Sequence, residues 1–320
     1  MAFSASNDYS LAEILNAYDQ NGRLKDFIDV FSDHRPLLED SHWQEANHDR
    51  SHEFEQIVSL PAARFMSIDE GYQKGKEVTR SVTEQLGSMG AMFEIGKKLC
   101  DSQSNPSGWR LSRTKLYIKG MLKNWTDLVY FASTADSPKN VDGLITRYSS
   151  KSKANVADFG GTANLRPMII MSWGDDRLSF LYPKGGKTTF VENDQGLVQL
   201  SDSKGQPYPG YRSYFDFTYG IGVGDERYVR RCGGIDYTTI KTSTTFEHNL
   251  TAELAKMPDL ENTSIHVGVD IWVGIMDLLR SKTNISFTTM NIWGQELPSF
   301  MGCPIILDNA LDVTDSALAS

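Results

Sequence analysis

The sequence is poor in cysteine and has no long apolar run. Its 320 residues include three cysteines, Cys100, Cys232 and Cys303, which are widely spaced and form no CxxC pair. This pattern fits a protein made in a reducing cytoplasm better than it fits a disulfide framework or a zinc site. The longest apolar stretches, such as Ile169 to Met171 and Cys303 to Leu307, are far shorter than the roughly 18 residues that a membrane-spanning helix needs. We therefore expect no transmembrane helix, and the N-terminus lacks the pattern of a secretory signal.

Positive charge is outweighed by negative charge: 32 Lys and Arg stand against 41 Asp and Glu, so the net charge is −9. A protein that grips nucleic acid needs a basic footprint, so the balance excludes that class. The charge is uneven: the first 60 residues hold twelve Asp or Glu against four Lys or Arg, and residues 61–153 hold fifteen Lys or Arg against nine Asp or Glu. This favours pairing between copies, or two surfaces facing different surroundings, or simply a solvated acidic arm beside a basic helix.

The composition is that of a globular protein, with 40% hydrophobic and 23% charged residues. Apolar residues at helical spacing predict two short amphipathic helices within Asp8 to Asp33, joined by a turn at Asn21-Gly22. The length suits one large domain or two ordinary ones.

A period of two predicts strands on either side of residues 61–77. Phe54 and Val58 alternate with polar residues in the first strand, and Val78 and Val82 do so in the second. Neither strand has an apolar face large enough for a core, and an isolated two-stranded ribbon is marginal in water. We therefore expect the ribbon to rest on something else, such as another subunit.

The helical pattern is clearest from Trp109 to Ala132. Lys115, Lys119 and Lys123 stand four apart, so they form one basic stripe on this helix. The exit from the helix is rich in turn residues, and residues 147–162 are predicted to form a loop.

The rest of the chain, from Met168 onwards, is predicted to contain strands first and then both helices and strands. Short strands separated by turns are predicted from Met168 to Asp236, followed by a helix from Phe246 to Pro258 and a second helix from Val269 to Arg280. Two strand-like runs, Ile285 to Trp293 and Cys303 to Leu307, close the chain.

Two glycine-rich segments lack the spacing of nucleotide-binding motifs. The turn Gly185-Gly186-Lys187-Thr188 has leucine where a phosphate-binding loop needs its first glycine, and a strand pattern follows it instead of a helix. Gly220, Gly222 and Gly224 alternate inside a strand pattern, which predicts a bend or bulge.

Histidines and carboxylates form no convincing catalytic constellation. His48 and His52 could share a helical face as metal ligands do, but surface histidines in a polar arm are the better interpretation. No GxSxG elbow is present, and the adjacent acid pairs follow glycine as turn residues usually do. We predict no enzymatic activity, no cofactor and no metal.

The order of the segments resembles a known family, the phage major capsid proteins of the Hong Kong 97 fold, and most closely the coat proteins of epsilon-fifteen-like podophages. The resemblance covers roughly Ser102 to Thr314, and Cys303 stands where an aliphatic residue is usual. The matching motifs are DGLITRYSS (142–150), ANVADFGGT (154–162), MSWGD (171–175), YPKGGK (182–187), DERYVRRCGGID (225–236) and FMGCPIILDNAL (300–311).

The resemblance implies an α+β fold with four parts. These would be an N-terminal arm at 1–40, an extended E-loop at 41–90, a peripheral domain at 91–240 and an axial domain at 241–300, with a closing strand at 301–320. The peripheral domain would contain a spine helix at about 109–132 and the β-rich segment. The candidate assembly or lumen-facing residues are Lys115, Lys119, Lys123, Phe54, Val58, Val78 and Val82.

The implied function is self-assembly into an icosahedral shell that encloses the double-stranded DNA genome of a tailed bacteriophage. The implied partners are other copies, in hexamers and pentamers, with a scaffolding protein, a portal and a decoration protein. Packaged DNA would be bound weakly if at all, because the net charge is negative. No membrane is involved, and the protein would be made and assembled in the host bacterial cytoplasm and reside in the virion.

Two alternatives remain open at this point. An encapsulin-type compartment of the same fold would enclose a cargo enzyme instead of DNA. A soluble nucleotide-binding enzyme would use the turn that contains Lys187.

Overall fold

The structure is a computed structural model, which describes residues 36–72, 74–103, 105–185, 190–241, 244–280, 287–292, 295–315 and 318. The helices predicted within Asp8 to Asp33 and the turn residues 186–189 lie outside these ranges. The described chain mixes helices with two β-sheets. None of its described helices is both long and apolar enough to cross a membrane.

The helices and strands alternate irregularly along the chain. The described helices are α1 (Pro36–Asp40), α2 (Lys97–Asp101), α3 (Pro106–Phe131), α4 (Leu144–Arg147), α5 (Thr245–Ala255) and α6 (Val269–Arg280). The described strands are β1 (Trp43–Glu45), β2 (Ser51–Ser59), β3 (Val78–Gly96), β4 (Val156–Asp158), β5 (Leu165–Ser172), β6 (Leu178–Tyr182), β7 (Phe190–Ser201), β8 (Pro207–Val223), β9 (Val229–Asp236), β10 (Thr263–Val267), β11 (Phe287–Ile292), β12 (Gln295–Phe300) and β13 (Cys303–Leu307).

The chain divides into two compact units. The smaller unit contains Met89–Asn124 and Phe190–Phe217, and the larger unit contains residues 36–88, 125–185 and the described residues from 218 onwards. Helix α3 and strands β3 and β8 each contribute residues to both units.

The larger unit is built on a seven-stranded sheet with the order β11-β12-β13-β10-β5-β9-β4. Strand β5 is central, and its residues Met168, Ile169, Ile170 and Met171 are all fully buried. Successive side chains of a strand point to opposite faces, so both faces of β5 are covered, which explains its continuous apolar sequence.

Helices α5 and α6 supply much of the core on one face of this sheet. In α6 the buried residues Ile271, Ile275 and Leu278 recur at helical spacing and join the same cluster as Met168 of β5. Gly274 lies on this buried side, where an added Cβ would come within 3.2 Å of the Ile240 side chain. The predicted helix Val269 to Arg280 is therefore confirmed.

The second sheet has six strands, in the order β1-β6-β8-β3-β2 with β7 paired to β8, and it contains the predicted glycine-rich strand. Strand β6 pairs antiparallel with the end of β8, and the register from Leu178↔Val223 to Leu181↔Gly220 has no irregularity. The prediction of a bend or bulge was wrong for Gly220 and Gly222, whereas Gly224 lies in a bend directly after β8. At Gly222 an added Cβ would lie 2.9 Å from Cζ of Phe54, so glycine is required by the close approach of an aromatic ring.

The smaller unit has its own small core. Phe93, Ile95, Trp109 and Phe215 are buried together, and the Phe93 and Tyr117 rings meet edge to face at 5.1 Å. Strands β7 and β8 form an antiparallel hairpin with a bulge between Asp194 and Gly196. Such a bulge twists an edge strand and hinders further pairing.

The predicted long helix is confirmed as α3, which begins at Pro106 instead of residue 109 and ends at Phe131 instead of residue 132. Four of the described strands escaped prediction, namely β1, β4 in the segment expected to be a loop, β10 between the two predicted helices, and β12 near the end of the chain. Strand β4 pairs parallel with β9, and β12 forms an antiparallel pair with β11.

Candidate assembly surfaces

The ribbon predicted from period-two spacing is formed by β2 and the first part of β3. The two strands are antiparallel from Ser51↔Gln85 onwards, and Phe54 stands opposite Val82. Phe54 is buried, its ring lies 4.3 Å from that of His52, and Gly222 of β8 lies directly beside it. The base of the ribbon therefore packs on its own chain with Phe54 inside it, and a role of Phe54 in assembly stays a prediction.

Polar contacts fix the base of the ribbon further. The Arg147 guanidinium donates to both carboxylate oxygens of Glu84, at 2.5 and 2.8 Å, and both side chains are largely buried. Gln56 donates through Nε2 to the backbone oxygens of Val223 and Gly224. Bidentate pairs of this kind are strong and directional, so they hold the two strands at a defined angle to α4 and β8.

The outer part of the ribbon is held by cross-strand polar pairs. The hydroxyls of Thr79 and Ser81 donate to Glu55 and Glu53, at 2.8 and 2.5 Å, and Arg80 donates to Gln56. Gln56 and Arg80 stand directly opposite each other and the other two pairs are diagonal, and such cross-strand pairs stabilise an antiparallel ribbon without an apolar core.

The end of the ribbon exposes a set of large apolar side chains. Phe65, Ile68 and Tyr72 are almost completely exposed, and Val58 and Val78 are also exposed, whereas Val82 is half-buried. We call this set the ribbon-end patch; its members are Ile57, Val58, Leu60, Phe65, Ile68, Tyr72 and Val78. Large apolar side chains that are left exposed together within residues 57–78 indicate an interaction surface.

Helix α3 presents the predicted basic stripe. Lys115 and Lys123 are exposed and Lys119 is half-buried, all within the smaller unit. Arg110, on the same helix, pairs with Asp194 of β7 at 2.5 Å. Between Pro106 and Asn124 the helix contains five basic residues and no acidic residue, so this segment is strongly positive.

Two buried ion pairs were not predicted. Arg230 pairs with Glu253 of α5, and Arg231 pairs with Asp315 near the C-terminus. The sequence could have indicated both pairs, because Arg230 and Arg231 are adjacent in an apolar strand. Adjacent residues of a strand point to opposite faces, so one guanidinium lies on each face of the sheet. Each such buried charge needs a partner.

The histidines do not support a metal site. His48 lies in the bend before β2 and is 3.6 Å from Glu53, while His52 lies within β2, so the two do not share a helical face. Over the described ranges no group of three or more potential ligands is brought together.

Solved structures share this architecture. A chain of the cryo-EM structure of bacteriophage Epsilon15 matches with a TM-score of 0.67 at 21% identity, covering 100% of this chain and 98% of that one. The bacteriophage JBD30 capsid matches with a TM-score of 0.53 at 10% identity, covering 90% and 96%. An encapsulin from Synechococcus elongatus gives a TM-score of 0.49 at 9% identity over 71% of this chain and 96% of that one, a level that favours no assignment. No curated protein sequence matches.

The architecture is therefore that of phage capsid proteins with the Hong Kong 97 fold. The sequence profile of a protein family described as Major capsid protein GP7 matches residues 19–319. The chain belongs to this family of major capsid proteins, and its role is structural and not enzymatic. The resemblance found in the sequence is confirmed.

Proposed function

We propose that this capsid protein assembles, as hexamers and pentamers, into a closed icosahedral shell around the double-stranded DNA genome of a tailed bacteriophage. The observation that supports this most is the ribbon-end patch, where Phe65 and Ile68 are fully exposed in the single chain. Burying such side chains against a second copy is favourable by about 25 cal/mol per Å² of apolar area. The patch and the surface it covers would differ, and such heterologous contacts close into rings.

The proposed parts of the subunit follow the division made from the sequence. Residues 1–40 would form the N-terminal arm, 41–90 the extended E-loop, 91–240 the peripheral domain, 241–300 the axial domain and 301–320 the closing strand. The ribbon of β2 and β3 would be the E-loop, and α3 the spine helix.

The proposed surface residues are Val58, Val78 and Val82 on the ribbon, and Lys115, Lys119 and Lys123 on α3. The three valines would contact a neighbouring copy, and the lysines would face the lumen or an adjacent chain. The net charge of −9 would keep packaged DNA only weakly held, since phosphate binding depends on Lys and Arg.

The proposed partners beyond the chain itself are a scaffolding protein, a portal and a decoration protein. A scaffolding protein would set the curvature of the shell, because subunits that join by weak contacts need guidance to close at one size. Synthesis and assembly would take place in the host bacterial cytoplasm.

The ribbon-end patch can be tested by assembly of purified full-length protein. The double variant Phe65→Ser, Ile68→Ser removes two large apolar side chains that have no packing role in the subunit, so we expect a folded protein that no longer forms shells in negative-stain micrographs. The matched control is Leu111→Ser, which removes an exposed leucine from α3. Shells formed equally by the double variant and the control would overturn the proposed role of the patch.

A further inference from the structure

A fully buried histidine lies between two carboxylates in the larger unit. His266 of β10 has its Nε2 3.0 Å from Asp40 Oδ2 and its Nδ1 3.8 Å from Asp308 Oδ2. Asp308 is also fully buried, and Asp40 is mostly buried. The side chains come from three distant parts of the sequence.

Both ring nitrogens of His266 face oxygen acceptors. Tyr130 donates its hydroxyl hydrogen to Asp308 Oδ2 at 2.8 Å, so the phenolic oxygen presents lone pairs to His266 Nδ1 at 3.4 Å. A neutral imidazole carries one N–H and would leave one nitrogen facing only acceptors. The doubly protonated imidazolium satisfies both sides, so the geometry selects the charged form.

Among the described residues, no cation contributes to the pKa shift of His266. In the sheet His266 is paired with Ile169 of β5 and Ile306 of β13. The charged and titratable groups that face it are Asp40 from α1, Asp308 from the turn after β13, and Tyr130 from α3.

Asp40 is the last residue of α1, and the polar attachment of α1 converges on it. One carboxylate oxygen, Oδ2, accepts hydrogen bonds from His266, from the hydroxyl of Ser264 and from Trp173 Nε1. The apolar contribution of α1 is the buried Leu37. The five residues of α1 are too few to be stable as an isolated helix, so the helix depends on these contacts.

We propose that His266 is a proton-dependent latch, which in its charged form holds α1 against β10. Loss of the proton would leave two buried carboxylates facing each other through a neutral ring. The attachment of α1 would then loosen while the rest of the sheet stays folded. This device belongs to the subunit and does not depend on the proposed shell.

The pH range of the latch follows from the ionisation of His266. Burial alone would lower the pKa of His266, but its interactions with the Asp308 and Asp40 carboxylates outweigh burial and raise the pKa to about 9. A histidine whose pKa is higher in the folded state stabilises that state fully below its ordinary pKa of about 6.5 and loses this contribution as the pH rises through the folded value. The latch is therefore closed at neutral pH and opens between about pH 8 and pH 10. Burial raises the pKa of Tyr130 well above its ordinary value, so Tyr130 stays protonated in this range.

Hydrogen–deuterium exchange of the full-length protein, corrected for the intrinsic pH dependence of exchange, tests the latch. We expect the amides of residues 37–41 to lose protection at least about tenfold between pH 7.5 and pH 10, with a midpoint near pH 9. Amides of α6 should stay protected and serve as the internal reference. No loss of protection around α1 by pH 10, or an equal loss in α6, would overturn the proposal.

Two variants distinguish a transition caused by His266 from a general loss of structure at alkaline pH. His266→Gln cannot carry the charge, so its protection around α1 should be lower at pH 7.5 and should not change across the same range. The matched control is His42→Gln, which removes an exposed histidine paired with Asp175 and should leave the wild-type transition in place. If His266→Gln does not fold, Asp40→Asn removes one of the two carboxylates, and the transition should move down by at least about one pH unit. An unmoved transition in Asp40→Asn would contradict the latch.

Discussion

The Arg231 guanidinium forms an ion pair with the Asp315 carboxylate at 2.8 Å, and each side chain is only 3% exposed. Arg231 also donates to the backbone oxygens of Ile145 and Tyr148, at 2.9 Å each. The backbone N–H of Asp315 donates to the oxygen of Leu165 in β5. These contacts fasten Asp315 to α4, β5 and β9.

Replacing Asp315 with asparagine should destabilise the subunit by about 3 kcal/mol or more. Removing one partner of a buried ion pair leaves the other charge uncompensated, and this costs about 3–5 kcal/mol. The midpoint of chemical denaturation measures the effect. The matched control is Asp175→Asn, which breaks the exposed pair with His42 and should cost less than about 1 kcal/mol. If Asp315→Asn and Asp175→Asn lowered the stability equally, burial of the Arg231–Asp315 pair would not contribute to the stability of the subunit.

Replacing Gly222 with alanine should lower the stability by about 1–3 kcal/mol, because its Cβ would crowd the Phe54 ring and the Leu181 side chain. Thermal unfolding of the unassembled subunit measures the change. The added substitution Phe54→Leu should restore part of the loss. A neutral effect of Gly222→Ala would show that the ring does not require glycine at this position.

Replacing Gly120 with alanine should raise the stability of the subunit, in contrast to the change at Gly222. An added Cβ there meets nothing within 4 Å, and alanine is favoured over glycine in a helix interior by about 0.8–1 kcal/mol. The same unfolding measurement should therefore show a small increase in stability. A decrease would contradict the open environment of this position on α3.

Replacing Glu84 with glutamine should loosen the base of the ribbon. The Arg147 guanidinium would keep hydrogen-bond partners but lose the opposite charge in a largely buried site, at a cost of about 1–3 kcal/mol. We expect faster proteolysis in residues 59–77, measured by limited digestion and mass spectrometry. Thr79→Ala serves as the control, since it removes one exposed hydroxyl from the outer ribbon and should change stability by less than about 0.5 kcal/mol. If both variants are digested at the wild-type rate, the Arg147 pair does not anchor the ribbon.

Elements with a repeated local pattern could be predicted from the sequence. Helix α6 was predicted with its bounds because Ile271, Ile275 and Leu278 recur at helical spacing. The ribbon was predicted because apolar residues such as Phe54 and Val82 alternate with polar residues along each strand. Strand β12 was missed because its sequence, QELPSF, carries a glutamate and a proline and gains its place only by pairing with β11.

Properties that depend on distant residues could not be predicted. The alternating glycines of β8 were interpreted as a bend because the sequence does not show that Phe54 packs on Gly222 from another strand. The latch at His266 joins Asp40, Tyr130 and Asp308, which are far apart in sequence and form no motif. The sequence predicted a ribbon without a core of its own. Which of its apolar side chains form the ribbon-end patch is known only from the exposure of each one in the structure.

Electron microscopy of the full-length protein, produced with and without a scaffolding protein, tests most directly whether this chain builds a shell. We expect closed icosahedral particles, and in a reconstruction at side-chain resolution Phe65 and Ile68 should be covered by a second copy of the chain. A monodisperse monomer under all conditions would contradict the proposed shell, and so would closed particles in which the ribbon-end patch stays in solvent.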